Sequence, residues 1–284
     1  MPAQGFDRAE RVTRMIVQAD QHTPYEDERV LRLIRRVMAD RLQRGKPFDY
    51  VVDLGDRFDF EGLSVKFLRS PQGGLYLRRE FHTVADQITK ENEALGPHVK
   101  RVYIKGNHEE RLTNYIWGQA PGLADLLDEE DGVLTIPALL RHYGADTSNM
   151  TYVQPYTETW EYSWRGAKFV FTHGDRFGIT AARMELRDRV VNGMSGHVHR
   201  DSGDKLPTYD SLYGWWTCGC LCNIEGKNVP PGRKKGAGKR YWVQGFATVE
   251  FSDERPLFSV TLHTVHRGKA VVYGKVYVDR GGRS

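Results

Sequence analysis

Short runs of β-branched and aromatic residues alternate with longer stretches whose apolar positions recur at the helical period through the first two-thirds of the chain. The short runs predict strands over 15–19, 49–54, 99–105, 168–172 and 192–196, each followed at once by polar or glycine-rich residues. The longer ones predict helices over 26–42, 79–95 and 179–191. In the first of these, Val30, Leu31, Ile34, Val37, Met38 and Leu42 fall near one face. After Arg200 the pattern changes to short strands over 214–221, 241–251, 257–265 and 271–278, which predicts a second, more antiparallel sheet. The alternation is that of a layered α/β fold.

Composition narrows the class. The 284 residues are 39% hydrophobic and 27% charged, which excludes disordered, collagenous and fibrous chains. No run approaches the roughly 18 uncharged apolar residues of a membrane-spanning helix, so no integral membrane protein is expected. Residues 1–14 carry Asp7 and Glu10 and no apolar stretch. They read as neither secretory signal nor transit peptide, and a cytoplasmic protein is expected. Cys218, Cys220 and Cys222 alternate and are odd in number. They are poor disulfide partners for one another and fit a reducing compartment. They read as small packing residues, with a zinc site completed by a histidine as the alternative. Trp160, Trp164, Trp215, Trp216 and Trp242 read as core and sheet-face residues, with base stacking by one of them as the alternative. The net charge of +4 is mild, and its one concentration lies in 226–240, read as an exposed loop.

Five polar clusters follow predicted strands: Asp20-Gln-His22, Gly55-Asp56-Arg-Phe-Asp59, Gly106-Asn107-His108-Glu109, Thr172-His173-Gly174-Asp175 and Gly196-His197-Val-His199. Strand carboxyl ends line one crevice in open α/β sheets, so clusters distant in sequence converge there. Five of the ten histidines lie in them. In Asp20/His22 and His197/His199 the two-residue spacing predicts side chains sharing one face of a strand. Carboxylates and imidazoles suit hard or borderline divalent ions, and one carboxylate can bridge two of them.

At these residues the chain resembles the calcineurin-like metallophosphoesterase superfamily, whose signatures D-x-H, G-D-x-x-D, G-N-H-[DE], a single H and G-H-x-H occur here in order. The resemblance implies one domain over 1–284, with metal-binding motifs in 15–200 and completing strands in 201–284. It implies a four-layer α-β-β-α sandwich of two mixed β-sheets flanked by helices, with a dinuclear metal site at one edge. Asp20, His22 and His199 match the ligands of one metal, Asn107, His173 and His197 those of the other, and Asp56 the bridging carboxylate. His108 matches the catalytic histidine, paired with Asp59. A water or hydroxide between two cations has a lowered pKa and would be available to attack a phosphate ester, and His108, not a ligand in this scheme, could donate a proton to the departing alkoxide. Manganese is the first candidate metal, with iron, zinc and nickel as alternatives.

Superfamily members that dephosphorylate proteins resemble G-D-x-V-D-R-G at the second signature, but here Phe60 follows Asp59. The arginine clamp for a monoester dianion is missing, with Arg57, Arg111 and Arg200 as candidate substitutes. The stretch from Trp215 to Asn223 and the later Val243-Gln-Gly-Phe-Ala247 resemble the tail of phage and prophage-type, repair-exonuclease-like phosphoesterases. That resemblance favours a phosphodiesterase or nuclease acting on DNA, other nucleic acid or nucleotides. In it, basic residues from Arg233 to Arg240 contact the backbone or form a solvated turn. A small-molecule phosphomonoesterase and a non-catalytic interaction module are the alternatives. Two-fold association through the tail strands is compatible with the length.

Overall fold

The computed structural model describes residues 11–64, 73–128, 132–209, 211–226, 228–230 and 241–279. The basic stretch from Arg233 to Arg240 lies outside the described residues. In chain order the elements are β1 (Val12–Gln18), α1 (Glu28–Gln43), β2 (Tyr50–Asp53), α2 (Gly73–Leu95), β3 (Lys100–Ile104), α3 (Glu110–Gln119), α4 (Ile136–His142), β4 (Met150–Val153), β5 (Thr159–Trp164), β6 (Ala167–Thr172), α5 (Ala181–Arg189), β7 (Asn192–Ser195), β8 (Ser202–Pro207), β9 (Leu212–Thr217), β10 (Gly245–Ser252), β11 (Phe258–Thr264), β12 (Lys269–Val272) and β13 (Lys275–Val278).

One sheet has the order β11-β10-β1-β2-β3-β4 and the other β5-β6-β7-β9-β8. Both are mixed. β1 to β4 run parallel, while β10 and β11 join β1's edge antiparallel. In the second sheet β6, β7 and β9 are parallel, and β5 and β8 close the edges antiparallel. Strand alternation explains the layering. Met15 and Val17 of β1 meet Phe169 and Phe171 of β6 in a core between the sheets. Ile16, between them in sequence, turns outward under Val30, Ile34 and Val37 of α1. Likewise Val170 of β6 packs outward against Ala182 and Leu186 of α5. The result is two mixed sheets face to face with helices outside. Among the described residues no helix is long and apolar enough to cross a membrane.

The five predicted strands and three predicted helices before Arg200 are present with shifted ends, and α3, α4, β4, β5 and β8 add to them. Of the expected second, more antiparallel sheet only the β12-β13 pair stands apart from the two large sheets. β8 and β9 extend the second sheet and β10 and β11 the first, because the backbone edges of β1 and β7 are unsatisfied without them. The single strand expected over 271–278 is the hairpin β12-β13, reversed at Tyr273 and Gly274, whose φ values are 49° and 72°.

Candidate metal centre

Asp20 and His22 follow β1, Asp56 and Asp59 follow β2, Asn107 and His108 follow β3, His173 follows β6, and His197 and His199 follow β7. Three of those strands belong to one sheet and two to the other, so the centre straddles the edge where both sheets end. Sharing a strand face is not what pairs Asp20 with His22 or His197 with His199. β1 stops at Gln18 and β7 at Ser195, and all four residues have left-handed backbone, with φ of 55°, 53°, 68° and 55°. Asp56 does too, at 55°. Asp and His tolerate this region better than branched residues. A Cβ on Gly55 would lie 2.7 Å from the Gly106 Cα, so the loops after β2 and β3 touch backbone to backbone.

Asp56 lies at the middle. Its Oδ2 is 3.8 Å from His22 Nε2 and 3.5 Å from His173 Nε2. On one side Asp20, His22 and His199 bring donor atoms within 4.8 Å of one another, and on the other Asp56, His173 and His197 do the same. His22 Nε2 faces His199 Nε2 at 3.0 Å. His173 Nε2 is 3.2 Å from His197 Nδ1 and 2.9 Å from Asn107 Oδ1. The His173 Nδ1–H donates to the Leu54 carbonyl at 2.7 Å, which leaves the Nε2 lone pair facing Asp56, as a metal-ligating imidazole requires.

Among the described residues Asp20 Oδ2, His197 Nε2 and His199 Nδ1 are buried without a hydrogen-bond partner. Each such atom costs about 1–3 kcal/mol. Imidazole nitrogens turned toward one another, orphaned buried polar atoms and a mixed nitrogen and oxygen donor set together fit divalent cations. Burial and neighbouring His173 bring the His197 imidazole down to about 4, and burial with His108 also lowers His22, so both rings favour the neutral form that binds cations. Burial opposes a charge on Asp56, but His173, His108 and His22 hold its carboxyl well below the usual carboxylate range.

Asp59 serves two histidines: its Oδ1 is 3.1 Å from His22 Nδ1 and 3.1 Å from His108 Nδ1. Burial disfavours the His108 cation, yet Asp56 and Asp59 raise this imidazole to about 9. Arg111 Nη2 stands 3.0 Å from His108 Nε2, a contact that only neutral imidazole can accept. Arg111 Nη1 also donates to the Asp59 carbonyl at 2.6 Å.

Glu109 is fully buried beneath these loops. Its Oε1 accepts from the Arg57 and Phe58 amides at 2.7 and 3.1 Å and from the Tyr103 hydroxyl at 2.9 Å. Its Oε2 accepts from the Asp56 and Gly106 amides at 2.9 and 3.0 Å. One carboxylate thus ties the loop of Asp56 to the loop of Asn107. Among the expected site residues His22, Asp56, Asp59, Asn107, His108, His197 and His199 line a cleft of about 470 Å³.

No family model matches the chain, nor does any curated protein. Among solved structures the chain is similar to Vps29 of Chaetomium thermophilum complexed with the RaPID-derived cyclic peptide RT-D3, at 10% identity over 95% of this chain and 99% of that one, with a TM-score of 0.34. It is also similar to the nuclease MPE of Pseudomonas putida, at 15% identity over 80% and 86%, with a TM-score of 0.32. Neither likeness carries weight. The chemistry of this site rests on its own geometry.

Arg111 and Arg200 line the cleft, but Arg57 does not. Arg57 is buried between Asp53 and Glu91, 2.8 Å from each, because those carboxylates and Arg101 complete a closed ionic group between β2, β3 and α2. Asp175 is exposed and outside the site. The three cysteines are buried and free. They follow the end of β9 instead of alternating along it, and Cys220, Cys222 and a ring nitrogen of His199 lie within 4.8 Å of one another. Trp164 and Trp215 are core residues, whereas Trp242 is a cleft wall, 3.8 Å from the His199 ring centroid to centroid. Phe177, which no sequence signal singled out, is another.

Proposed function

We propose that this chain is a metal-dependent phosphoesterase using two divalent cations, and that it cleaves phosphodiesters of nucleic acids or nucleotides. The observation that carries this reading is two neighbouring sets of converging donor atoms, Asp20, His22 and His199 beside Asp56, His173 and His197, with polar atoms that are buried without partners among the described residues. Asp20, His22 and His199 would hold one cation, and Asn107, His173 and His197 the other, with Asp56 common to both. Cations bound there supply an activated water as nucleophile and neutralise the phosphate oxygens. Manganese is the first to test.

The chain's own residues do the rest. Asp56 and Asp59 favour the His108 cation, and with Asp59 holding Nδ1 a proton on Nε2 is the one that would pass to the departing ester oxygen. Arg111 and Arg200, both on the cleft wall, offer guanidiniums to the non-bridging oxygens. Phe60, in the place of the arginine clamp, is a fully buried phenyl and gives the phosphate nothing. A diester, with one charge fewer than a monoester dianion, needs such a clamp less.

The test is a panel of bis-p-nitrophenyl phosphate, p-nitrophenyl phosphate, cyclic nucleotides and single- and double-stranded DNA, each with Mn²⁺ or with chelator. Diester hydrolysis only with cation, and faster than monoester hydrolysis, is expected. No hydrolysis with any divalent cation would overturn the reading.

A further inference from the structure

We infer that Phe177 and Trp242 form a subsite for a nucleobase beside the candidate centre, so that the preferred substrate is a nucleoside phosphodiester. This rests on the phosphoesterase reading and narrows its substrate.

The two rings occupy equivalent places. His197 and His199, one residue apart, each carry an aromatic ring: Phe177 lies 4.7 Å from His197 at 64° between planes, and Trp242 lies 3.8 Å from His199 at 77°. Both contacts are edge-to-face. Both residues line the cleft that holds Asp56, Arg111 and Arg200. Among the described residues neither belongs to an apolar cluster of the core.

Phe177 is 75% exposed, in the loop between β6 and α5 with Gly174 and Gly178 on either side at φ of 90° and 86°. A single exposed phenyl is ordinary. One that lines the same cleft as an indole, against a candidate metal ligand, offers stacking where a phosphate's neighbour would sit. A base lies one sugar away from its phosphate, and a cleft of about 470 Å³ is of the size that holds small ligands. A lipid tail would find guanidiniums in this cleft, and a phosphopeptide has no obligatory flat ring. A nucleotide matches both the aromatic and the cationic walls, and stacking is tolerant of base identity.

The experiment compares two esters with the same leaving group, thymidine 5′-(p-nitrophenyl phosphate) and methyl p-nitrophenyl phosphate, with Mn²⁺. The wild-type chain should prefer the thymidine ester in kcat/KM. Phe177→Ala and Trp242→Ala should each lower that preference roughly tenfold, chiefly through KM, and Phe177→Tyr should retain it where Phe177→Leu does not. Because both esters release p-nitrophenolate, stacking of the leaving group cancels in the ratio. Turnover of the methyl ester with no thymidine preference, or equal losses on both esters in the Phe177 variants, would overturn the subsite and leave the diesterase reading standing. Absence of turnover on both esters would overturn the diesterase reading and the subsite with it.

Discussion

Replacing Glu109 by glutamine tests whether one buried carboxylate sets the geometry of the centre. Glutamine keeps one acceptor and turns the other into a donor. If its oxygen takes the place of Oε1, the new amide faces the Asp56 and Gly106 N–H groups, and two buried donors lose their acceptor. At about 1–3 kcal/mol for each, the loss is roughly 2–6 kcal/mol. Part of it is offset, since burial and the nearby Asp56 carboxylate already raise the Glu109 carboxyl, and the neutral amide removes that strain. A net destabilisation of about 2–4 kcal/mol is expected, with a fall in Tm of roughly 5–10 °C. The functional loss should be larger in proportion. Asp56 and Asn107 sit on the two loops that Glu109 joins, and a displacement of about 1 Å at reacting groups costs on the order of a hundredfold in rate. Thermal unfolding with chelator and with Mn²⁺, metal content, and turnover of bis-p-nitrophenyl phosphate measure all three effects. A Glu109→Gln protein with wild-type Tm, metal content and rate would refute the reasoning.

Asp56→Asn should reduce activity and metal content more than Asp20→Asn, since Asp56 Oδ2 lies 3.8 Å from His22 of one donor set and 3.5 Å from His173 of the other, whereas Asp20 belongs to the first set alone; an Asp56→Asn protein with full metal content and rate would contradict this. His108→Ala should retain metal but lose roughly 10²–10⁴-fold on esters with alkoxide leaving groups and much less on nitrophenyl esters, a difference read directly from paired kinetics. Burial alone would push the Glu91 carboxyl up, but Arg57 and Arg101 bring it down to about 2 from its ordinary 4.5. Its contribution to stability, on the order of 3 kcal/mol, is therefore present above pH 4.5 and lost as pH falls toward 2. Urea unfolding between pH 5.5 and 3 should show a shallower pH slope in the double variant Glu91→Met, Arg101→Met than in wild type.

The strands that carry the centre were legible because each is an apolar run cut short by polar residues, as in Val51-Val-Asp-Leu-Gly-Asp56. β8 was not: Ser202–Pro207 is an edge strand alternating between half-buried and exposed positions, with a glycine, an aspartate and a lysine that carry no strand signal. The site residues were legible by type and order, and their geometry was not. A two-residue spacing reads as strand alternation until left-handed torsions at Asp20 and His197 replace it. The partners of Arg57 and Glu109 are tertiary. Arg57 reads as a free cation beside a phosphate site, and only the fold brings Glu91 of α2 against it. Glu109 reads as the last letter of a motif, and only the approach of two loops supplies its backbone donors. Trp242 and Phe177 lack a periodic context that would separate a cleft wall from a core.

Of the ten described non-glycine residues with left-handed backbone, five are Asp20, His22, Asp56, His197 and His199. Glycine would relax each torsion by about 1 kcal/mol, less what its greater freedom in the unfolded chain takes back. At His197 it would also remove a buried nitrogen that has no partner among the described residues. Inactivation and stabilisation therefore coincide at these positions: with chelator present, His197→Gly should melt at or above the wild-type temperature while turnover with Mn²⁺ disappears. Screens for thermostability alone would select against the centre, and a thermostable form of this chain has to gain its stability elsewhere, in the helices and edge strands away from these five torsions.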